Sequence, residues 1–207
     1  MTLVPDIALL EQSFGLAGFR AGQVEAITHA LNGRHALVVM PTGSGKSLIF
    51  QFAAVSLPGT TLVISPLIAL MKDQVDALAR RNIPSTFINS ALSSEEQNRR
   101  IQGMAAGRFK LVYIAPERLR SPAFVGALKR TKISLLAIDE AHCISQWGHD
   151  FRPDYLALGQ ARDMLEGPTT LALTATATPE VQDDILAQLR LPAAERVVTG
   201  FQRPNLV

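Results

Sequence analysis

The sequence has little that would cross-link the chain or anchor it to a membrane. Cys143 is the only cysteine among the 207 residues, which excludes an intrachain disulfide and a cysteine-rich zinc site and fits a reducing, intracellular setting. The first residues carry acids and lack a basic start before a long apolar run, so we predict no signal peptide. No stretch approaches the ~20 apolar residues that a membrane-spanning helix needs, so we expect no membrane contact.

The chain also has little excess of positive over negative charge. The formal net charge is only +2, and such a balance does not by itself identify a nucleic-acid-binding protein. Apolar residues make up 47 % of the chain, which is enough for one sizeable core and argues against a disordered chain. The length suits a single domain.

Short apolar runs that do not alternate with polar residues recur along the chain, as is typical of strands buried on both faces of a parallel sheet. They are residues 36–40, 61–65, 85–88, 111–114, 135–139, 170–174 and 196–199. Helical patterns separate them. These alternating elements predict one α/β domain with a central, mostly parallel sheet flanked by helices, and ligands that bind beyond the carboxyl ends of the strands.

Three helices are marked by side-chain spacing or by capping residues. In residues 67–81 a 3–4 spacing places five apolar side chains on one predicted face: Leu67, Leu70, Met71, Val75 and Leu78. Ser93 followed by Glu96 predicts a capping box, and Gly107 is expected to end that helix. Thr178 before Pro179 predicts the start of a further helix.

A glycine-rich loop follows the first predicted strand and precedes a helical pattern, which is the order that a phosphate-binding P-loop requires. The predicted nucleotide-binding residues are Met40, Pro41, Thr42, Gly43, Ser44, Gly45, Lys46 and Ser47. The glycines would let backbone N–H groups cradle phosphate oxygens, Lys46 would reach the β- and γ-phosphates of ATP, and Ser47 would hold Mg²⁺. The alternative is a glycine-rich turn with an incidental lysine.

The predicted strand 135–139 ends in Asp139, and Glu140 follows directly. Two neighbouring carboxylates at the end of an apolar strand cost free energy unless they meet a cation. Asp139 would complete the Mg²⁺ site with Ser47, and Glu140 would orient and deprotonate the attacking water. The alternative is a helix start decorated with acids. We interpret His142 as a polar link between the nucleotide and the threonine-rich residues 174–178 rather than as a zinc ligand. Those threonines could otherwise form only a turn that caps the next helix.

The order of these segments resembles that of superfamily 2 helicases and, more narrowly, RecQ-type DNA helicases. The resembling segments are residues 14–16, 19–23, 40–47, 65–74, 113–119, 139–142, 173–178 and 201–206. Met40 stands where the general P-loop pattern has glycine, a variant typical of helicase motors. The resemblance implies a RecA-like fold, Mg²⁺-ATP as the energy source and 3′–5′ movement along DNA. It also implies that Leu16, Arg20 and Gln23 contact adenine.

Leu16 departs from the RecQ pattern, which often has an aromatic residue there, so it can offer adenine apolar contact only. Gln23 can offer both a donor and an acceptor to an adenine edge, although it could also be an ordinary exposed helix residue.

Residues 143–153 resemble the aromatic-rich loop of RecQ proteins, which senses single-stranded DNA and couples it to ATP hydrolysis. Trp147 and Phe151 can stack on bases at ~1–3 kcal/mol per base, and Arg152 can contact a phosphate or stack. His149 belongs to the same predicted DNA-binding set. The alternative, aromatics packed into the core, is disfavoured by the polar, turn-forming residues 148–150.

Further predicted DNA contacts are Ser65, Pro66, Lys72 and Arg118. A helix start after Ser65 could hold a DNA phosphate on its backbone N–H groups. Lys72 and Arg118 could equally be solvated surface charges.

The whole chain, residues 1–207, is predicted to be the ATP-binding first RecA-like domain of such a helicase. Residues 1–35 would carry the adenine-recognition segment, and residues 200–207 would lead to a second motor domain. That second domain, in cis or in trans, would supply an arginine finger, so we expect weak or no unwinding by this chain alone. A fragment, a truncated gene product and an excised domain all fit. We expect a monomer in the cytoplasm, at the nucleoid in a bacterium or in the nucleus of a eukaryote.

Two other functions remain open from the sequence. One is half of an RNA helicase, because the letters of residues 139–142 also occur in such enzymes. The other is a nucleotide-gated nucleic-acid-binding module with little catalysis. Glu140 argues against that module, and the missing arginine finger argues for it.

Overall fold

The computed structural model describes residues 2–200, which form a seven-stranded sheet in which every neighbouring pair of strands is parallel. The spatial order is β3-β4-β2-β5-β6-β1-β7. The strands are β1 Ala36–Val39, β2 Thr60–Ile64, β3 Ser85–Ile88, β4 Leu111–Ile114, β5 Ile133–Ile138, β6 Thr169–Thr174 and β7 Glu195–Val198. All seven predicted strands are confirmed to within two residues. The predicted exit segment 201–206 lies outside the described residues.

Helices connect the strands and cover both faces of the sheet. They are α1 Ile7–Phe14, α2 Gln23–Leu31, α3 Lys46–Ser56, α4 Ile68–Ala79, α5 Ser94–Ala105, α6 Pro122–Leu128, α7 Leu158–Met164 and α8 Pro179–Gln188. Short 3-10 helices occupy Pro116–Arg120, Ala141–Ile144 and Pro153–Ala157. Within residues 2–200 none of the helices has the length and apolar character needed to cross a membrane.

The predicted helix ends follow from local capping chemistry. Ser93 Oγ accepts a hydrogen bond from the Glu96 backbone N–H at 3.2 Å and so begins α5. The Glu96 carboxylate binds Arg99 and Arg100 instead of turning back to the cap, so only half of the capping box is formed. Gly107 follows the helix with a φ of +69°, a conformation that favours glycine.

Two hydrophobic layers enclose the sheet because successive strand residues point to opposite faces. In β1, Val38 packs into the layer formed with α1, α2, α3 and α4, whereas Leu37 and Val39 pack into the layer formed with α6, α7 and α8. This two-sided burial explains why the inner strands appear in the sequence as continuous apolar runs, whereas the edge strands β3 and β7 are only partly covered.

The predicted apolar face of α4 is not buried at its N-terminal end. Met71 and Leu78 are buried, but Leu67 and Leu70 are 36 % and 49 % exposed. The first turn of α4 lies at the open carboxyl edge of the sheet, where both leucines border a cavity rather than a packed layer.

Candidate nucleotide site and nucleic-acid loop

The glycine-rich loop joins the carboxyl end of β1 to the start of α3. Gly43 and Gly45 have φ values of +79° and +84°, which side chains disfavour and glycine adopts freely. A Cβ added at Gly45 would lie 2.6 Å from Nε2 of Gln23. The backbone path therefore favours glycine at both positions, and the closeness of Gln23 also favours it at Gly45.

Lys46, Ser47, Asp139 and Glu140 all line one cavity of about 300 Å³ at the carboxyl edge of the sheet. Lys46 Nζ donates hydrogen bonds to the carbonyls of Met40 at 2.8 Å and Pro41 at 3.2 Å. Burial lowers the pKa of Lys46, while the charges of Glu140 and Asp139 oppose that shift. The structure therefore brings the basic and acidic halves of the predicted site into one pocket.

The Asp139 carboxyl lies mostly out of solvent at the end of β5, although the residue as a whole is only partly buried. Burial, followed by the charge of Glu140, raises the pKa of Asp139 to about 6. Its Oδ1 accepts a hydrogen bond from the Glu140 N–H at 3.0 Å, and its backbone N–H donates to the Ile64 carbonyl at 2.8 Å. A buried carboxylate with so few donors is a good position for a cation.

Ser65 borders the same cavity and is only 5 % exposed. Its hydroxyl hydrogen-bonds the Asp139 carboxyl and so opposes the rise in the pKa of Asp139. The side chain is thus engaged with Asp139, and the predicted contact of Ser65 with DNA remains a prediction.

Glu140 adopts a left-handed backbone conformation with φ +48° and ψ +48°. For a residue other than glycine such strain costs of the order of 1–3 kcal/mol and is concentrated at functional sites. The turn ends β5, and both Asp139 and Glu140 line the cavity. Sequence periodicity gives no sign of this conformation.

His142 connects the acidic segment to the threonine-rich segment. Its Nδ1 lies 2.9 Å from Thr174 Oγ1 and 3.3 Å from Glu140 Oε2. Burial lowers the pKa of His142, although Glu140 opposes the shift, so the ring is mainly neutral near pH 7. Thr174 Oγ1 in turn donates to the Thr176 carbonyl at 3.1 Å. The contact between His142 and the threonine-rich segment is thus present, whereas its predicted link to the nucleotide stays a prediction.

The aromatic-rich loop starts directly from this chain. The rings of His142 and His149 are stacked, with centroids 4.2 Å apart and planes at 18°. Trp147 is 79 % exposed, so it does not pack into the core. A Cβ at Gly148 would lie 2.4 Å from the His142 carbonyl oxygen. The loop therefore folds tightly against His142 while presenting Trp147 to solvent.

Arg152 is held within the protein in this conformation. Its guanidinium donates to Asp150 Oδ2 at 2.9 and 3.2 Å and to the Pro66 carbonyl at 3.4 Å. The loop is thereby tied to the segment at the start of α4. Phe151, beside it, is only partly buried.

The other predicted phosphate contacts differ in accessibility. Lys72 is exposed on α4 and pairs with Asp76 at 2.6 Å. Arg118 is partly buried, with its guanidinium 5.9 Å from the centre of the Phe124 ring and its Nε without a hydrogen-bond partner. Neither shares the cavity of Lys46.

Gln23 contacts the P-loop backbone. The side chain is 1 % exposed, which excludes an ordinary exposed helix residue. Its Nε2 donates to the carbonyls of Ser44 at 3.2 Å and Gly45 at 3.0 Å, and its Oε1 accepts from the Arg20 N–H at 2.8 Å. Arg20 donates to the Gly43 carbonyl at 2.6 Å. An adenine edge would have to replace some of these bonds, whereas the half-exposed Leu16 is free to make apolar contact.

Two tyrosines near the site were not predicted as site residues. Tyr155 is fully buried and its hydroxyl donates to the Asp139 carbonyl at 3.3 Å. Tyr113 lines the cavity, and its hydroxyl accepts from Gln51 at 3.2 Å. Only tertiary contact distinguishes them from ordinary core tyrosines.

Comparison with known proteins places these segments in a family. The DEAD/DEAH box helicase family matches residues 20–185. The chain is 51 % identical over 201 residues to the ATP-dependent DNA helicase RecQ of Bacillus subtilis, covering 96 % of this chain and 34 % of that protein. It is 46 % identical over 200 residues to RecQ of Haemophilus influenzae, covering 97 % and 32 %. The chain thus spans about a third of the length of these curated relatives.

Solved structures show the same fold at lower sequence identity. A hypothetical ATP-dependent RNA helicase from Sulfolobus tokodaii aligns with a TM-score of 0.71 at 19 % identity, covering 93 % of this chain and 57 % of that one. The Hef helicase domain of Pyrococcus furiosus aligns with a TM-score of 0.65 at 23 % identity, covering 86 % and 37 %. With a family match over residues 20–185 and a RecA-like sheet, the chain belongs to the DEAD/DEAH box helicase family and is similar over nearly its whole length to the RecQ DNA helicases.

Proposed function

We propose that this chain is the ATP-binding motor domain of a RecQ-like DNA helicase. It would hydrolyse Mg²⁺-ATP in response to single-stranded DNA and drive 3′–5′ unwinding when a second RecA-like domain completes it. The observation that carries the proposal is the single cavity lined by Lys46, Ser47, Asp139 and Glu140. Relatives named ATP-dependent DNA helicases, similar over nearly the whole chain, support it.

The residues of the cavity fit a metal–triphosphate. The buried Asp139 carboxylate and the Ser47 hydroxyl provide oxygen ligands of the kind Mg²⁺ prefers, and Mg²⁺ would neutralise charge on the phosphates. Lys46 would exchange its bonds to the Met40 and Pro41 carbonyls for phosphate oxygens, and backbone N–H groups of the loop would cradle the rest. Glu140 would orient the attacking water and accept its proton.

Coupling to DNA would run from the loop to Glu140. Trp147, Phe151 and His149 would stack on bases, and Arg152 would leave Asp150 for a phosphate. His149 is stacked on His142, which contacts both Glu140 and Thr174. A displacement of the loop by DNA would therefore reach the hydrolytic carboxylate within two side chains. Ser65, Pro66, Lys72 and Arg118 remain proposed contacts to the DNA backbone.

The cavity opens at the edge of the sheet, where a second RecA-like domain, in cis or in trans, would supply an arginine finger. Residues 1–35 would carry the adenine-recognition segment, and residues 200–207 would lead to that domain. We propose a monomer that works wherever the cell keeps its DNA: the bacterial cytoplasm and nucleoid or the eukaryotic nucleus.

The test compares phosphate release by the wild type and by Glu140→Gln, with and without single-stranded DNA. We expect the wild type to be stimulated by DNA and the variant to lose activity by 10²-fold or more, of the order seen when a key catalytic group is removed, while still binding ATP. Equal phosphate release from both proteins would favour a nucleotide-gated binding module. Competition between DNA and RNA strands of one sequence separates the DNA motor from half of an RNA helicase.

A further inference from the structure

Three potential metal ligands lie together at the base of the aromatic-rich loop, outside the nucleotide cavity. A ring nitrogen of His142, the Sγ of Cys143 and a carboxylate oxygen of Asp150 all lie within 4.8 Å of one another. The chain turns back at residues 145–148 and returns to Cys143, whose carbonyl accepts a hydrogen bond from the Arg152 N–H at 2.9 Å. This turn brings Asp150 to the two neighbouring ligands.

In place of the sequence-based interpretation that His142 is not a zinc ligand, we propose that His142, Cys143 and Asp150 form a site for a thiophilic divalent cation of the Zn²⁺ class, and that the bound ion immobilises the loop between them. The fourth position would be taken by water. The binding part of this proposal stands apart from the proposed helicase function, because it concerns only the geometry of the loop.

The distances suit such an ion. Cys143 Sγ donates to Asp150 Oδ2 at 3.7 Å. A tetrahedral zinc ion with Zn–S of about 2.3 Å and Zn–O of about 2.0 Å sets sulfur and oxygen about 3.5 Å apart. The ion would thus replace the thiol proton after Cys143 Sγ and Asp150 Oδ2 approach each other by a few tenths of an ångström. A ring nitrogen of His142 would then move towards the ion as its third protein ligand.

The charges around the cluster select the kind of ion. Glu140 adds a negative charge 3.3 Å from His142 Nδ1, the position in which a carboxylate supports a ligating imidazole. Arg152 opposes any cation, because its guanidinium holds Asp150 Oδ2 at 2.9 Å. An ion must gain enough from the sulfur to displace Arg152, which favours Zn²⁺ or Co²⁺ over Mg²⁺ or Ca²⁺.

The consequence for the loop follows from the ligand positions. Trp147 lies between Cys143 and Asp150 in the chain, so a bond from each to one ion closes the loop on both sides of Trp147. Trp147 is also the only tryptophan of the protein and Cys143 its only cysteine. Each therefore gives a signal that no other residue can produce.

The experiment titrates Co²⁺ and then Zn²⁺ into the full chain, after removal of any affinity tag and of metals by chelation, with excess Mg²⁺ present to occupy sites that prefer oxygen ligands. We expect one equivalent of Co²⁺ to produce a thiolate-to-cobalt charge-transfer band, which Zn²⁺ then removes. We also expect Zn²⁺ to raise the fluorescence anisotropy of Trp147 and to reduce its quenching by acrylamide.

Variants assign the ligands. Cys143→Ser should abolish the band, and Asp150→Asn, at an exposed position, should weaken binding at least tenfold. Asp183→Asn, on the exposed side of α8, is the matched control and should bind as the wild type does.

No band in the wild type, or equal affinity in Asp150→Asn, overturns the site. Binding without any change in Trp147 anisotropy overturns the immobilised loop. None of these signals requires ATPase activity, so a failure of the proposed function would be recognised separately.

Discussion

Replacing Gly148 by alanine is the sharpest test of how the aromatic-rich loop is joined to the hydrolytic residues. The added Cβ would lie 2.4 Å from the His142 carbonyl oxygen and 3.2 Å from the Ser145 carbonyl oxygen. Both neighbours are backbone atoms, so neither can rotate away. Reaching an ordinary contact distance requires the loop to move by about 1 Å, and overpacking of this kind costs about 1–3 kcal/mol.

That displacement acts on coupling more than on the phosphate site. The loop is stacked on His142 through His149, whereas Lys46 and Ser47 belong to a different segment of the chain. A misplacement of ~1 Å can cost as much as ~10²-fold in rate. We therefore expect Gly148→Ala to lose most of the stimulation of ATP hydrolysis by single-stranded DNA while ATP affinity and basal hydrolysis stay close to those of the wild type.

The assay is phosphate release at saturating ATP over a range of DNA concentrations, with nucleotide affinity measured separately. Gly18→Ala is the matched control, because a Cβ there meets no atom within 4 Å. Thermal unfolding should show a loss of about 2–12 °C for Gly148→Ala, from about 2–4 °C per kcal/mol for a domain of this size. Full DNA stimulation in Gly148→Ala would show that the tight contact between loop and His142 does not transmit the signal.

Three further predictions follow from other contacts. Trp147→Ala should weaken binding of single-stranded DNA by about 5–150-fold, from ~1–3 kcal/mol per stacked base. The denaturation midpoint should not change, because the side chain is exposed. Unchanged affinity, measured by fluorescence anisotropy of labelled DNA, would argue against stacking. Gln23→Ala should lower both ATP affinity and the free energy of unfolding, the latter by about 1–3 kcal/mol, because it leaves buried backbone groups of the P-loop unpaired; calorimetry and urea denaturation measure the two effects, and unchanged values would contradict the contact. Ser93→Ala should cost about 1 kcal/mol in urea denaturation by removing the cap of α5, whereas Ser94→Ala should cost little; equal losses would count against the cap.

The fold was readable from the sequence because its signals are local. Buried parallel strands appear as continuous apolar runs, and helix starts carry their own caps, as Ser93 and Thr178 do. The meeting of Lys46 with Asp139 was also predictable, since each follows a strand of one parallel sheet and all carboxyl ends lie at one edge. These predictions depend only on local sequence patterns and on the rule that parallel strands share one carboxyl edge.

Only the tertiary structure decided which side chains face which neighbours. Ser65 turns towards Asp139, Leu70 is left exposed, and Gln23 hydrogen-bonds the P-loop, although spacing alone allowed other arrangements for each. The left-handed turn at Glu140 and the return of Asp150 to Cys143 likewise leave no periodic trace. The sequence determined the elements through short-range propensity and patterning, whereas these contacts depend on how loops and layers close over long chain separations, where many arrangements share the same local pattern and packing selects one.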